Sequence, residues 1–197
     1  ALICGYDVVE EPRAAKAVVG YVPDHAALYE KLTGREMLAL IGDLFGVSPA
    51  QQQARIDPML ETFSLVDAGD SLIGGYSRGM RQKLSLCAAL LHDPKVLFLD
   101  EPTVGLDPAG ARQLKDVLRH LCGEGRTVFL STHVLEVAEL LCDRVAIVQK
   151  GRMVTVDSPR NLRARSGEAS LEAAFLRITG GADEDIAPLL RALQSQD

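Results

Sequence analysis

The chain has 197 residues, 47% of them apolar and 24% charged, the balance of an ordinary soluble domain rather than of a disordered one. No apolar run nears the roughly 20 residues of a membrane helix, and the first residues show no signal or transit pattern. Lys plus Arg is 21 and Asp plus Glu is 27, a net charge of −6, which excludes an overall basic nucleic-acid footprint and leaves room only for a local patch.

The chain starts on Ala1 in what reads as a strand already under way, so a natural N-terminus further upstream is expected. Val18 to Val22 is a β-rich run stopped by Pro23. Residues 25–94 then read as almost entirely helical. Thr33-Gly34-Arg35-Glu36 is a capping box, and Met37, Leu38, Ile41, Leu44 and Phe45 follow at helical spacing until Gly46. Ser48-Pro49-Ala50-Gln51 opens a second helix, which Pro58 is expected to kink or break. A third helix is expected from Ser77 to about Leu91, with Leu84, Cys87, Ala88 and Leu91 as its apolar stripe.

Val96 to Leu99 and Thr127 to Ser131 read as strands buried on both faces, the mark of a parallel sheet. Between them, Leu114, Val117, Leu118 and Leu121 define a helix closed by Gly123 and Gly125. Val134, Val137, Ala138 and Leu141 line another. Arg144 to Gln149 and Met153 to Val156 form a hairpin across Lys150-Gly151. From Ser158 onward the chain reads as helical, with an apolar set at Leu171, Ala174, Phe175 and Ile178, a break at Gly180-Gly181, and a last short helix over Ile186 to Leu193. Cys4, Cys87, Cys122 and Cys142 are far apart and read as small buried residues of a reducing compartment.

Four patterns carry chemistry. Val96 to Leu99 delivers Asp100 and Glu101 to the C-terminal end of a strand, where open α/β sheets bind ligands. Two carboxylates there suit Mg²⁺ and an attacking water, although alone they also fit a solvated acidic turn. Gly74 to Gln82 places glycines and Ser77 before a helix, where backbone N–H groups and the helix dipole face an anion; a Gly-rich turn with Ser77 as a plain N-cap fits equally. Gly74 and Gly79 have P-loop spacing, but Met80-Arg81 replaces the Lys-Ser/Thr and no strand leads in, so that assignment is rejected. His133 follows the strand ending at Ser131-Thr132, level with the acidic pair if the two strands are parallel. Gly105-Leu106-Asp107-Pro108 fits either a functional turn or a helix start capped by Asp107.

In this order and spacing the four patterns resemble the nucleotide-binding domain of ABC transporters, over nearly the whole chain. Tyr76-Ser77-Arg78-Gly79-Met80 matches the signature motif, Val96 to Asp100 Walker B, Glu101 the catalytic carboxylate, Gly105 to Pro108 the D-loop, and His133 the switch histidine. Pro23-Asp24 falls at the Q-loop. Tyr21 to Asp24, Leu32 to Glu36 and Leu171 to Phe175 look like the exporter branch that handles drugs, polysaccharides or similar cargo. The sequence departs from the pattern at Arg78 and Met80, where Gly and Gln are usual, and at Asp24, where Gln is typical. A carboxylate can ligate Mg²⁺ or its water but donates no hydrogen bond unless protonated. No Gly-x-x-x-x-Gly-Lys-Ser/Thr occurs in the 197 residues; the family places this Walker A motif upstream of Ala1, as in a chain truncated at its N-terminus.

The resemblance implies an α/β fold: a P-loop NTPase (RecA-like) core in three αβα layers with an inserted helical subdomain, lacking the Walker A strand and helix. The expected segments are 1–24, the end of the N-terminal part of the core; 25–94, the helical subdomain; 95–157, the rest of the core; and 158–197, a C-terminal helical extension. It implies an ATPase with ATP and Mg²⁺ as cofactors. Glu101 and His133 would be catalytic, Asp100 and Asp24 would face the metal, and Asp24, Ser77, Arg78, Gly79 and Asp107 would face the nucleotide. The implied partners are a second nucleotide-binding subunit and membrane permease subunits, with no nucleic acid, on the cytoplasmic face of the plasma membrane. The 197 residues by themselves are expected to bind nucleotide weakly and hydrolyse little. Two other readings are a degenerate module that only donates its signature to an active partner, and a non-transport ATPase of the same superfamily.

Overall fold

A computed structural model describes residues 1–181, so the short helix expected over Ile186 to Leu193 lies outside the described residues. The chain divides into two compact units, one over Ala1–Thr132 and one beginning at His133.

The first unit opens with a two-residue hairpin, β1 (Leu2–Ile3) and β2 (Tyr6–Asp7), antiparallel across Cys4-Gly5. Both turn residues have positive φ, +50° and +90°, the backbone a tight hairpin needs. Helix α1 (Pro12–Ala17), with Pro12 in its first turn, was not expected from the sequence. Then comes β3 (Val19–Val22).

The stretch to the next strand is less helical than the sequence implies: it holds three α-helices, with 23–33 and 63–77 outside them except for one short 3-10 turn. Helix α2 (Gly34–Leu44) starts on the expected capping box, with Thr33 Oγ1 accepting from the Glu36 amide and Glu36 Oε2 accepting from the Thr33 amide. Gly46, at φ +69°, follows its end. Helix α3 (Pro49–Thr62) starts on a second capping box, Ser48 with Gln51. It continues through Pro58 as one helix, so of the expected kink or break the break does not occur. Pro58 and Ala54, whose carbonyl loses its intrahelical donor, both face solvent, so water can satisfy that carbonyl. Helix α4 (Arg78–Leu90) starts on Ser77, as expected, and is buried on more than one stripe: Gln82, Ser85, Leu86 and Ala89 join Leu84 and Cys87.

Next come β4 (Val96–Asp100), α5 (Pro108–Gly123) and β5 (Thr127–Ser131). Strands β3, β4 and β5 form one parallel sheet in that order, with Val22 opposite Leu99 and Asp100 opposite Ser131. Gly20 lies so close to α4 that a Cβ there would stand 2.4 Å from the Ala89 carbonyl oxygen. Gly20, Val22, Leu97 and Leu99 face this buried side. The opposite side carries Tyr21, Phe98 and Phe129 in register. Tyr21 and Phe129 are 59% and 61% exposed, so the expectation of strands buried on both faces fails. An apolar strand can place a residue on a face, but what covers that face is set by other elements.

The second unit contains α6 (Leu135–Leu141), the antiparallel pair β6 (Val145–Gln149) and β7 (Arg152–Asp157), α7 (Pro159–Ser166) and α8 (Leu171–Thr179). The hairpin turns through Lys150-Gly151 as expected, both at positive φ. Ala138, Ile147, Leu162 and Leu171 form its core, with Phe175 and Ile178 against it. Of the four cysteines, Cys87 is buried, and burial pushes its thiol up to about 12; Cys4 and Cys122 are exposed, contrary to expectation.

His92, just beyond α4, stacks on Phe45 with ring centroids 3.8 Å apart, and its Nε2 lies 2.9 Å from the Val19 carbonyl oxygen. Its Nδ1 is buried without a partner. Burial therefore holds this imidazole below the ordinary histidine range. The folded state resists the proton that the unfolded chain takes up, so stability from this site is present above the unfolded value and lost as pH falls through the folded one. The His92→Phe variant keeps the stack and loses the hydrogen bond. Thermal unfolding should show it about 1 kcal/mol less stable at neutral pH, and losing less stability than the native chain on acidification.

Candidate functional site

Because β3, β4 and β5 are parallel, their C-terminal ends share one rim of the sheet. Asp24 follows β3 by two residues, Asp100 ends β4 with Glu101 directly after it, and Ser131 ends β5 with Thr132 directly after it. The acidic pair and the Ser131-Thr132 end thus lie side by side, as expected for neighbouring parallel strands.

The rim is held by hydrogen bonds across that pair of strands. Ser131 Oγ donates to Asp100 Oδ1. The Glu101 amide donates to the Ser131 carbonyl at 3.0 Å, extending the pairing one residue past the strand. Glu101 Oε2 accepts from Thr132 Oγ1 at 3.4 Å. The Val104 amide closes a turn onto the Glu101 carbonyl at 3.1 Å, and Pro102 inside it is buried. Glu101 itself sits at φ +47°, a left-handed conformation in which Cβ crowds the backbone. Such strain persists where surrounding contacts hold it, and here the bonds on both sides of Glu101 do so. In the sequence Ser131 and Thr132 mark only a strand end; their hydroxyls face the carboxylates because the register pairs Asp100 with Ser131.

The turn before α4 is built separately. Gly74 and Gly75 fall in a single 3-10 turn, Ile73–Gly75, not after a strand, consistent with rejecting a P-loop there. Tyr76 is buried and its hydroxyl donates to the Ala68 carbonyl at 2.6 Å. The Arg81 guanidinium donates to the carbonyls of Tyr76 and Gly74, at 3.3 and 3.1 Å, and to Glu30 Oε1 at 2.7 Å. Ser77 caps the helix by accepting from the Met80 amide at 3.2 Å, which leaves its own O–H available as a donor. Ser77 and Arg78 are exposed and Gly79 half-buried, so the start of this helix lies open at the surface, where free N–H groups can meet an anion.

The structure joins several expected residues. Asp24 lies 3.5 Å from Arg78 Nη2, and its other oxygen is 2.8 Å from His25 Nδ1. Gly79 packs against Gly105 closely enough that a Cβ would meet the Gly105 carbonyl oxygen at 2.7 Å. Asp107 caps α5 through the Gly110 amide, 3.0 Å away, and lies 3.7 Å from Lys83 Nζ. His25 and Lys83 carry no signal in the sequence, and Arg81 figures there only in ruling out a P-loop; the contacts of all three are set by distant chain. His133 is the first residue of the second unit. Among the described residues, no three His, Cys, Asp or Glu side chains cluster as a ready-made metal site.

Residues 2–104 match the model of the ABC transporter family, a span that holds Asp24, the Ser77 turn and the acidic pair, and stops before Asp107 and His133. A daunorubicin resistance ATP-binding protein of Streptomyces coeruleorubidus is 42% identical over 189 residues, 95% of this chain and 60% of that protein. A fluoroquinolones export ATP-binding protein of Mycobacterium tuberculosis is 41% identical over 162 residues, 81% of this chain and 51% of that protein. The chain thus spans little more than half the length of these relatives. A solved structure of the ATP binding subunit of an ABC transporter superposes with a TM-score of 0.84 at 32% identity, over 89% of this chain and 74% of that one.

The left-handed backbone at Glu101 favours glycine over any residue with a Cβ. Glycine there removes the Cβ clash but frees the unfolded chain, so Glu101→Gly should gain up to about 1 kcal/mol. Glu101→Val, β-branched, should lose stability at the same position. Thermal denaturation of the three proteins should rank them Gly, Glu, Val; the reverse order would show that the turn does not hold this residue in a left-handed conformation.

Proposed function

The chain belongs to the ABC transporter family, with the P-loop NTPase fold of its ATP-binding subunits, and from that membership we propose that it binds and hydrolyses ATP to power export through separate membrane subunits. The observation that carries this reading is the delivery of Asp100 and Glu101, braced by Ser131 and Thr132, to the rim where parallel strands end. Relatives named for drug resistance and for export support the direction of transport.

In this proposal Glu101 orients and deprotonates the attacking water, in the role of general base. Ser131 and Thr132 hold the two carboxylates in place. His133, which follows Thr132 in the chain, contacts the terminal phosphate. The Ser77 hydroxyl and the N–H groups of Arg78 and Gly79 face the nucleotide of a second subunit, in a head-to-tail dimer. Asp107 anchors the turn of the acidic strand to the start of α5, beside that interface. Hard carboxylate oxygens suit Mg²⁺: Asp100, with the Ser131 hydroxyl beside it, would hold the ion, and Asp24, whose oxygens lie against Arg78 and His25, would face it through water. When bound, Mg²⁺ neutralises charge on the phosphates.

Residues 25–94 are proposed as the helical segment that docks on a membrane subunit, and 95–157 as the rest of the ATP-binding core. Among the described residues no helix is long and apolar enough to cross a membrane. From the family reading, not from that absence, the proposed place of work is peripheral, at the cytoplasmic face of the plasma membrane, on permease subunits.

The test is steady-state ATP hydrolysis by the full-length protein. Glu101→Gln should lower turnover about a hundredfold or more while ATP binding persists, since it removes the base and little else. Turnover equal to that of the native protein would overturn the role given to Glu101.

A further inference from the structure

Arg78 and Asp24 are the two places where the nucleotide-facing loops depart in charge from the family's usual Gly and Gln, and the fold brings them together. They are separated by 54 positions, yet Arg78 Nη2 and Asp24 Oδ1 lie 3.5 Å apart. Between its backbone and its guanidinium, the Arg78 side chain crosses Gly105. A Cβ built on Gly105 would stand 3.0 Å from both Cγ and Cδ of Arg78 and 3.2 Å from Nε. Gly105 is also at φ +82°, so the bare backbone there serves both the turn and the crossing. One side chain thus starts in the first turn of α4, lies over the turn that follows the acidic pair, and ends on the loop that follows β3.

The same region is otherwise open. Asp24, His25, Ala26, Tyr76, Arg78 and Gln82 line a hollow of about 320 Å³ with Arg81. Gln82 Nε2 is buried without a partner, so it does not tie the loop after β3 to α4. His25 meets Asp24 from its own loop and ties it to nothing else. Arg81 is committed to Glu30 and to the turn before the helix. The charged link that remains from the start of α4 to Asp24 is Arg78.

We propose that Arg78 is a positioning residue: its side chain sets Asp24 and the Gly105 turn against the start of α4, so that the loop after β3 and the signature turn move together. This rests on the functional reading above and deepens it. It gives the Arg78 side chain a task within its own subunit, on a carboxylate, while its backbone N–H remains part of the anion-facing helix start. Both groups of the pair are substantially exposed, so it adds little to global stability. Its effect should therefore appear in the loops and in nucleotide affinity, not in the melting temperature.

The experiment is a double-mutant cycle of Arg78→Gln and Asp24→Asn in the full-length protein, with Arg78→Lys as the conservative variant. The first reading is hydrogen exchange without nucleotide at the amides of Leu28, Val104 and Leu106, each of which donates to a carbonyl within its own loop. Either single change should speed exchange about twofold to fivefold, the double should be no faster than the singles, and Arg78→Lys should restore most of the protection. The second reading is ATP turnover. Arg78→Gln should raise KM by about fivefold or less with kcat little changed. Additive exchange effects, or unchanged exchange in Arg78→Gln, overturn the proposal. Coupled exchange with an unchanged KM also overturns it, by reducing the pair to a structural contact. A protein that binds no ATP overturns the functional reading instead, and the nucleotide-free cycle distinguishes that failure from the first.

Discussion

The parallel register of β3, β4 and β5 is the constraint on which the rest depends. Side chains numbered 24, 100 and 131 have no local reason to meet. They share a rim because three strands run in the same direction with Val22 opposite Leu99 and Asp100 opposite Ser131. A parallel pair cannot be joined by a tight turn. The chain between β3 and β4 therefore makes a long excursion, and that excursion carries α2, α3, α4 and the Ser77 turn. Gly20 allows the return, since any side chain there would collide with the Ala89 carbonyl as β3 packs on α4. Fold and candidate site are thus consequences of one pairing: the connection that makes the sheet parallel also supplies the helix start at Ser77.

Local chemistry was legible in the sequence. Both helix starts at Thr33 and Ser48, the cap at Ser77 and the turn at Lys150-Gly151 follow from hydrogen-bonding or backbone preferences spanning four residues or fewer, and the structure forms each as read. The acidic pair was legible for a related reason. Four apolar residues followed by two carboxylates read the same way in any parallel sheet. Features set by distant chain were not legible. Helix α1 is too short to announce a period. Pro58 survives inside α3 because its side of the helix faces water, which no residue nearby in sequence reveals. The open row of Tyr21, Phe98 and Phe129 depends on what covers that face of the sheet.

The meeting of Asp24 and Arg78 belongs to the second kind. Each reads from the sequence as a separate departure from a family pattern, and only the fold shows that the two charges face each other. The backbone at Glu101 is similar. Nothing in Asp-Glu-Pro-Thr announces a left-handed glutamate, yet its bond to the Ser131 carbonyl, the bond from Thr132 and the turn closed by the Val104 amide hold it there. Local rules thus place the elements, and the contacts between them place the chemistry.

The most direct measurement of the shared rim is paramagnetic relaxation by Mn²⁺ with ATP in the isotopically labelled full-length protein. Amide signals of Asp24, Asp100, Glu101 and Ser131 should broaden together, because three strand ends would surround one metal–phosphate site. Broadening at Asp100 that leaves Asp24 and Ser131 sharp would mean that the strand ends do not converge on the nucleotide, and would contradict the account.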